Sequence, residues 1–233
     1  MNLYRALRRG TLFKVALGHE PFYWLTPRPE VVEYGSRDCE WAIDASRLGA
    51  DTVVASFGLG EDVTFETALI QAHGCSVHGF DPTPRAVQHV NQHVHDARFC
   101  AVACALSDHD GTLTMWFPPD QVNASSVARY APGEVDALEV PCLTLQSVRE
   151  RHGLARIDVL KMDIEGAEYA VIDQAVATGG LADVDQLLVE FHHFLPGLSP
   201  QHTRKAIAQL QQAGLHMAWI GRTNHEYLFT RQR

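Results

Sequence analysis

The chain has 233 residues, enough for one substantial domain with an extension and short for two. Its 46% hydrophobic and 20% charged residues are ordinary for a soluble globular protein, and no apolar run reaches the ~18 residues of a membrane span. The formal net charge is −9, with no basic block beyond Arg5, Arg8 and Arg9; this argues against a nucleic-acid partner, because neutralising phosphates takes clustered Lys and Arg.

Residues 1–50 are expected to form an N-terminal extension on the domain that occupies 51–233. "MNLYRALRRGTLFKVALG" is basic and mildly apolar, but Lys14 interrupts it and no small-residue cleavage site follows. It reads as an amphipathic helix that packs on the domain or caps a pocket, not as a signal peptide. "PFYWLTPRPEVVEYG" is aromatic and proline-rich, and "DCEWAIDASRLGA" reads as a short helix. Five cysteines (39, 75, 100, 104 and 142) include no CxxC pair and are odd in number, which fits a reduced, cytoplasmic setting.

From residue 51 strand and helix alternate. Strand-like runs lie at 51–57, 75–80, 98–106, 157–162 and 185–191, and helical patterns at about 61–73, 83–95, 144–152, 165–178 and 200–213. Such alternation predicts a doubly wound α/β sheet, mostly parallel, with helices on both faces. Runs 51–57 and 157–162 are nearly all apolar, as strands buried on both sides should be. "GTLTMWF" reads as a further strand, residues 118–138 as a long polar loop, and "LHMAWIG" with "HEYLFTR" as a hairpin adding an antiparallel edge.

The first strand breaks at "FGLGED". Gly58 and Gly60 permit a tight turn and close backbone approach to a ligand. A helix starting near Glu61 or Asp62 aims its free N–H groups at the same space. A nicotinamide dinucleotide wants a third glycine where this chain has Val63, and its pyrophosphate would meet two acids. A cationic ligand suits Glu61 and Asp62 better, and S-adenosylmethionine carries both an ammonium and a sulfonium. Asp81, at the tip of the second strand in "VHGFDPTP", is placed to hold an adenosine ribose or to cap the next helix. Leu106, Ser107 and Asp108, at the tip of the third, are candidate adenine neighbours. In "LKMDIEGAEYAVI", Asp163 meets the crevice, while Glu165 and Glu168 either join it or complement the helix dipole. "LLVEFHHF" brings Glu190, His192 and His193 to the fifth strand tip, where a His near its working pKa can act as a base. Side-chain alternation allows only one of the two His to face the site if the strand continues. His89 and His93, four apart on a helix, lack a third ligand and read as a solvated face.

In combination, "VVASFGLGEDVTFE", "VHGFDPTP", "ALSDHDGTL", "DVLKMDIEGAEYAVI" and "LLVEFHH" resemble the FkbM-type S-adenosylmethionine-dependent methyltransferases from about residue 51 to 195. The resemblance implies a class I methyltransferase fold, Rossmann-like, with seven strands and an antiparallel last one. It implies that Ser56, Gly58, Gly60 and Asp62 line the methionine half of the cofactor, that Asp81 holds the ribose, and that Asp163 lies between cofactor and substrate. The first strand departs from the common class I pattern: Ser56-Phe57 stand where an acid is often found, which passes the ammonium contact to Glu61, Asp62 or Asp163.

The expected reaction is in-line transfer of the sulfonium methyl to a hydroxyl, with His192 as first candidate base and Asp163 as second. A divalent metal held by Asp163, Glu165, Glu190 and His192 is possible but not favoured. The acceptor is expected to be a small-molecule or glycan hydroxyl, shaped by Phe22, Tyr23 and Trp24 and by Asn123, Ser125, Ser126, Arg129 and Tyr130. The competing readings are an NAD-type oxidoreductase and a methyltransferase-like fold that binds without catalysis.

Overall fold

The computed structural model describes residues 15–18, 20–21, 23, 25, 28, 30–37, 39–117, 125–127 and 136–232. Phe22, Trp24, Asn123, Arg129 and Tyr130, together with the basic N-terminal segment to Lys14, lie outside the described residues.

The strands are β1 (Val31–Tyr34), β2 (Trp41–Asp44), β3 (Val53–Phe57), β4 (Ser76–Asp81), β5 (Phe99–Ala103), β6 (Ala105–Leu106), β7 (Gly111–Phe117), β8 (Asp136–Leu143), β9 (Val159–Met162), β10 (Gln186–Glu190), β11 (Leu215–Ile220) and β12 (Glu226–Arg231). The helices are α1 (Thr64–His73), α2 (Pro84–His93), α3 (Leu145–His152), α4 (Glu168–Ala177) and α5 (Pro200–Gln212). Seven strands form the central sheet in the order β11-β12-β10-β9-β3-β4-β5. From β5 to β10 the neighbours run parallel, and β12 is antiparallel to both β10 and β11. The fold is therefore the expected doubly wound α/β sheet with one reversed C-terminal strand. That strand lies one place in from the edge, not at it, because β11 continues outward in the parallel sense.

Alternation along the buried strands sorts side chains between the two faces. Ala55, Leu160 and Leu187 join a cluster with residues of α3, α4 and α5. Val54, Val159 and Leu188 join Phe65, Leu69 and Ile70 of α1 and Trp41 of β2 on the other face. The same count sends Lys161, between Leu160 and Met162, to the α1 face, where it is fully buried. The short helix expected before the first strand is instead β2 followed by a single 3₁₀ turn at Ala45–Arg47, and β2 pairs with β1 as a two-stranded ribbon.

Two further boundaries differ with a physical reason. The run 98–106 divides at Cys104: β5 closes the central sheet, while β6 crosses to pair with β8 in a second sheet, β6-β8-β7. β8 begins inside the stretch read as a polar loop, 118–138, and runs on through residues 139–143, for which no element is predicted. Helix α4 begins at Glu168, not 165, because Glu165 and Gly166 take left-handed backbone (φ 52° and 104°). On α2, His93 Nδ1 bonds to the His89 carbonyl at 2.8 Å and the two rings stack, as a solvated face allows.

Candidate active site

The chain leaves β3 for β4 and β5, then crosses back to β9 on the other side of β3. Ligands bind beyond the strand C-termini at such a reversal. Here a cleft of about 500 Å³ opens, lined by the tips of β3, β4, β9 and β10. The second sheet walls it with Leu106, Leu113 and Met115.

The glycine turn forms one side. Gly58 donates its N–H to the Phe80 carbonyl at 3.0 Å, and Asp163 donates its own to the Phe57 carbonyl at 3.0 Å, so β4 and β9 clasp the end of β3. Gly58 takes φ +79°, and a Cβ there would overlap the Asp163 carbonyl, lying 2.8 Å from its carbon. Gly60 also takes positive φ (57°), but a Cβ there meets no atom within 4 Å. One glycine is required by close packing, the other by backbone angle alone.

Asp81 is buried and holds the turn in place. Its Oδ2 accepts from the Leu59 N–H at 2.9 Å and the Gly60 N–H at 3.0 Å, while Oδ1 accepts from the Thr83 N–H at 2.7 Å. The acids after the turn are engaged. Glu61 Oε1 pairs with Arg85 Nε at 2.7 Å. Asp62 accepts from Ser36 Oγ at 2.6 Å and from the Thr64 N–H at 2.9 Å and Oγ1 at 2.6 Å. Burial would raise the Asp62 carboxyl, but the Ser36 and Thr64 hydrogen bonds outweigh it and hold the group below its usual range. By turning back to Thr64, Asp62 defers the start of α1 to Thr64, later than the expected Glu61 or Asp62.

Gly58, Gly60, Glu61, Asp62, Asp81, Asp163 and His192 all line the cleft. Ser56 does not: it lies beneath the turn, its hydroxyl donating to Glu66 Oε1 at 2.6 Å. Ser107 also stands apart, its hydroxyl engaged with Asp108 and His109 and its N–H with the Leu143 carbonyl.

Lys161 and Glu66 went unread in the sequence. Lys161 Nζ donates to the Gly58 carbonyl at 3.0 Å, sits 3.4 Å from Glu66 Oε1 and lies over the Trp41 ring at 5.0 Å from its centroid. Burial would depress the ammonium, but Glu66 and then Asp163 more than offset that and hold it well above the ordinary lysine range. The available signal was a lysine inside a four-residue strand otherwise buried on both faces.

At the opposite side His192 is buried, with Nδ1 bonded to Glu168 Oε1. Its Nε2 faces Glu165 at 3.5 Å, Asp163 at 3.7 Å and Glu190 at 3.9 Å. Burial alone would favour neutral imidazole, yet the charge and hydrogen bond of Glu168, with Glu190 and Asp163, raise its pKa well above the usual value. Glu190 is raised too, by burial first and the Asp163 charge second. His193 points elsewhere, its Nε2 bonding Glu20 at 2.8 Å. Both His are buried because β10 ends at Glu190 and alternation no longer applies. Phe194, 53% exposed, projects into the cleft beside the His192 ring. Ser126 lines the cleft, Ser125 Oγ donates to the Glu165 carbonyl at 2.7 Å, and Tyr23 packs on Tyr227.

The methyltransferase FkbM domain profile matches residues 52–216. Probable methyltransferase-like protein 24 of Homo sapiens is 28% identical over 145 residues, covering 61% of this chain and 33% of that protein. The Rattus norvegicus protein of the same name is 28% identical over 158 residues, covering 66% and 36%. This chain thus spans about a third of the length of these relatives. The solved structure of methyltransferase FkbM from Methylobacillus flagellatus KT superposes with a TM-score of 0.50 at 12% identity, over 79% of this chain and 44% of that one, a likeness of fold. With the domain profile matching well over half of its residues, the chain belongs to the FkbM methyltransferase domain family.

Proposed function

We propose that the chain transfers the methyl group of S-adenosylmethionine to a hydroxyl of a small molecule or glycan. The observation that carries this reading is the cleft itself. A glycine turn pinned by Asp81 forms one side and an acid-rich floor around His192 the other, all at the reversal point of the sheet. The turn offers backbone to the adenosine and methionine parts. Asp81 Oδ1, bonded only to Thr83 among the described residues, keeps a lone pair for a ribose hydroxyl. Asp163 and the floor beyond it supply the negative potential that a sulfonium needs.

In this reading Glu61 and Asp62 contribute less to the cofactor's ammonium than their charge alone suggests, since Arg85 and Ser36 engage them. Asp163 then makes the main contact. Ser56 acts through Glu66 under the turn, and Ser107 shapes the wall of the second sheet from behind. The protein's main task is alignment of oxygen, methyl and sulfur. The acceptor's proton leaves toward the Asp163 carboxylate, beside the His192 ring that its carboxylate neighbours hold in the charged form. Phe194 and Ser126 at the open side suit an acceptor with both apolar and hydroxylated faces. The five cysteines are all free thiols, which supports work in a reducing compartment such as the cytoplasm.

Calorimetric titration with S-adenosylhomocysteine tests the cofactor, with NAD as control. Micromolar binding of the former alone is expected. Asp81→Ala removes three backbone partners and the ribose contact, so affinity is expected to fall at least ~10-fold and stability by about 2 kcal/mol. Binding of NAD instead would overturn the reading.

Chemistry is tested with a methyl-labelled donor and a panel of hydroxylated acceptors. His192→Asn is expected to lower turnover by ~10²–10⁴-fold while homocysteine-product affinity changes only a few-fold, since the ring lies past the cofactor side. Cofactor binding without turnover on any acceptor would favour a binding-only protein.

A further inference from the structure

The floor around His192 gathers carboxylates about one imidazole. Four carboxylates, from Asp163, Glu165, Glu168 and Glu190, face one imidazole. Only Glu168 bonds it, at Nδ1. That bond leaves Nε2 directed at the cleft, and a ligating His is commonly held in this way by a carboxylate on its other nitrogen. The His192 side chain is 4% exposed, yet among the described residues Nε2 makes no hydrogen bond: its nearest carboxylate oxygens stand at 3.5, 3.7 and 3.9 Å, beyond an N–H···O bond.

Those separations have a meaning for a cation. Ligand atoms sharing one octahedral ion at ~2.1 Å lie ~3.0 Å apart when adjacent and ~4.2 Å apart when opposite. The donor atoms of Asp163, Glu165 and His192 all lie within 4.8 Å of one another, and the two carboxylates are 3.7 and 3.5 Å from Nε2. A second compact donor set, Glu20, His193 and His225, differs in this respect. There Glu20 already bonds both rings, at 2.8 and 3.4 Å.

We propose that Asp163, Glu165 and His192 bind one divalent cation of the magnesium–manganese class, seated where the acceptor hydroxyl meets the methyl donor. Two carboxylates and one imidazole are a donor set for a hard cation, and three protein ligands leave positions open for acceptor oxygen. The proposal rests on the methyltransferase reading for its role. With the cation in place His192 is its ligand, and the hydroxyl bound to the cation gives its proton to water at the open side of the cleft. The oxygen then forms the new bond to the methyl carbon, the carbon–sulfur bond breaks with its electron pair on sulfur, and the sulfonium becomes a neutral thioether. An acceptor presenting two neighbouring oxygens fits the open positions best.

The test is Mn²⁺ titration of the chelator-stripped chain, read by loss of the free-ion paramagnetic resonance signal. S-adenosylhomocysteine is titrated separately into the same stripped protein. Saturable binding of a single Mn²⁺ is expected, weakened at least ~10-fold in Glu165→Gln and in Asp163→Asn and unchanged in Glu20→Gln. Glu165 sits in a turn and is partly exposed, so its Gln variant keeps the fold, which a melting curve verifies. Absence of Mn²⁺ binding at millimolar concentration overturns the proposal, and so does binding lost in Glu20→Gln but retained in Glu165→Gln. The homocysteine titration separates the two readings: homocysteine-product binding without Mn²⁺ binding removes the cation and leaves the methyltransferase reading standing, whereas the reverse removes the latter.

Discussion

Gly58→Ala is expected to abolish S-adenosylhomocysteine binding, with at least ~100-fold loss of affinity, and to cost about 3 kcal/mol or more of stability. Two terms add. An L-residue at φ +79° pays for the left-handed backbone, and the new methyl overlaps the Asp163 carbonyl. That carbonyl cannot withdraw, because the same residue's N–H holds the Phe57 carbonyl at 3.0 Å and Met162 pairs with Phe57 across the ladder. The strain is relieved only by lifting the turn off β9, which also pulls the Leu59 and Gly60 amides from Asp81. Gly60→Ala is the control. With φ +57° and open space around its Cβ, it is expected to cost only about 1 kcal/mol. Thermal melting and calorimetry on both variants decide the matter: equal losses would show that backbone angle alone, not the approach to Asp163, sets the requirement for glycine.

The difference between those two glycines also marks how far the sequence could be read. Periodicity found the parallel core, since runs such as "VVASF" and "DVLKM" report burial on both faces directly. The break at Gly58 and the acids at Asp81 and Asp163 were legible for the same reason: they interrupt strong patterns at strand tips, and tips of parallel strands share one end of the sheet. Engagement was not legible. Glu61 and Asp62 looked available to a ligand until Arg85, Ser36 and Thr64 were seen to hold them, and these partners lie up to 26 residues away in the chain. β8 escaped because residues 137–139 are exposed in a row and continue the polar loop, which leaves only Val140, Cys142 and Leu143 to signal burial. The place of β12 escaped because a hairpin fixes only that two strands are neighbours, not which of them joins the sheet first. The Glu168–His192 pair spans two elements, and no local pattern records that α4 begins only after the left-handed step at Glu165.

Lys161 is the residue whose loss is expected to cost most stability, about 3–5 kcal/mol for Lys161→Met by urea denaturation. The methionine fills the stem's volume but leaves Glu66 as an unpaired carboxylate in a fully buried site, where its Oε2 already has no hydrogen-bond partner among the described residues. It also orphans the Gly58 carbonyl. Because Glu66 and Asp163 hold the ammonium above the ordinary lysine range, the contribution is fully present at neutral pH. It is lost only as pH rises through the folded-state value, at the alkaline extreme. The pairwise part is separable. Glu66→Gln keeps an acceptor for the Ser56 hydroxyl while removing the charge, so Lys161→Met/Glu66→Gln is expected to recover more than half of the single variant's loss. A double variant no more stable than Lys161→Met would place the cost in packing against Trp41 instead of in charge. The site is linked to this outcome: Lys161 grips the turn through the Gly58 carbonyl, so even the stability-restored double variant is expected to bind S-adenosylhomocysteine more weakly than wild type. Full recovery of affinity would show that Asp81 alone holds the turn.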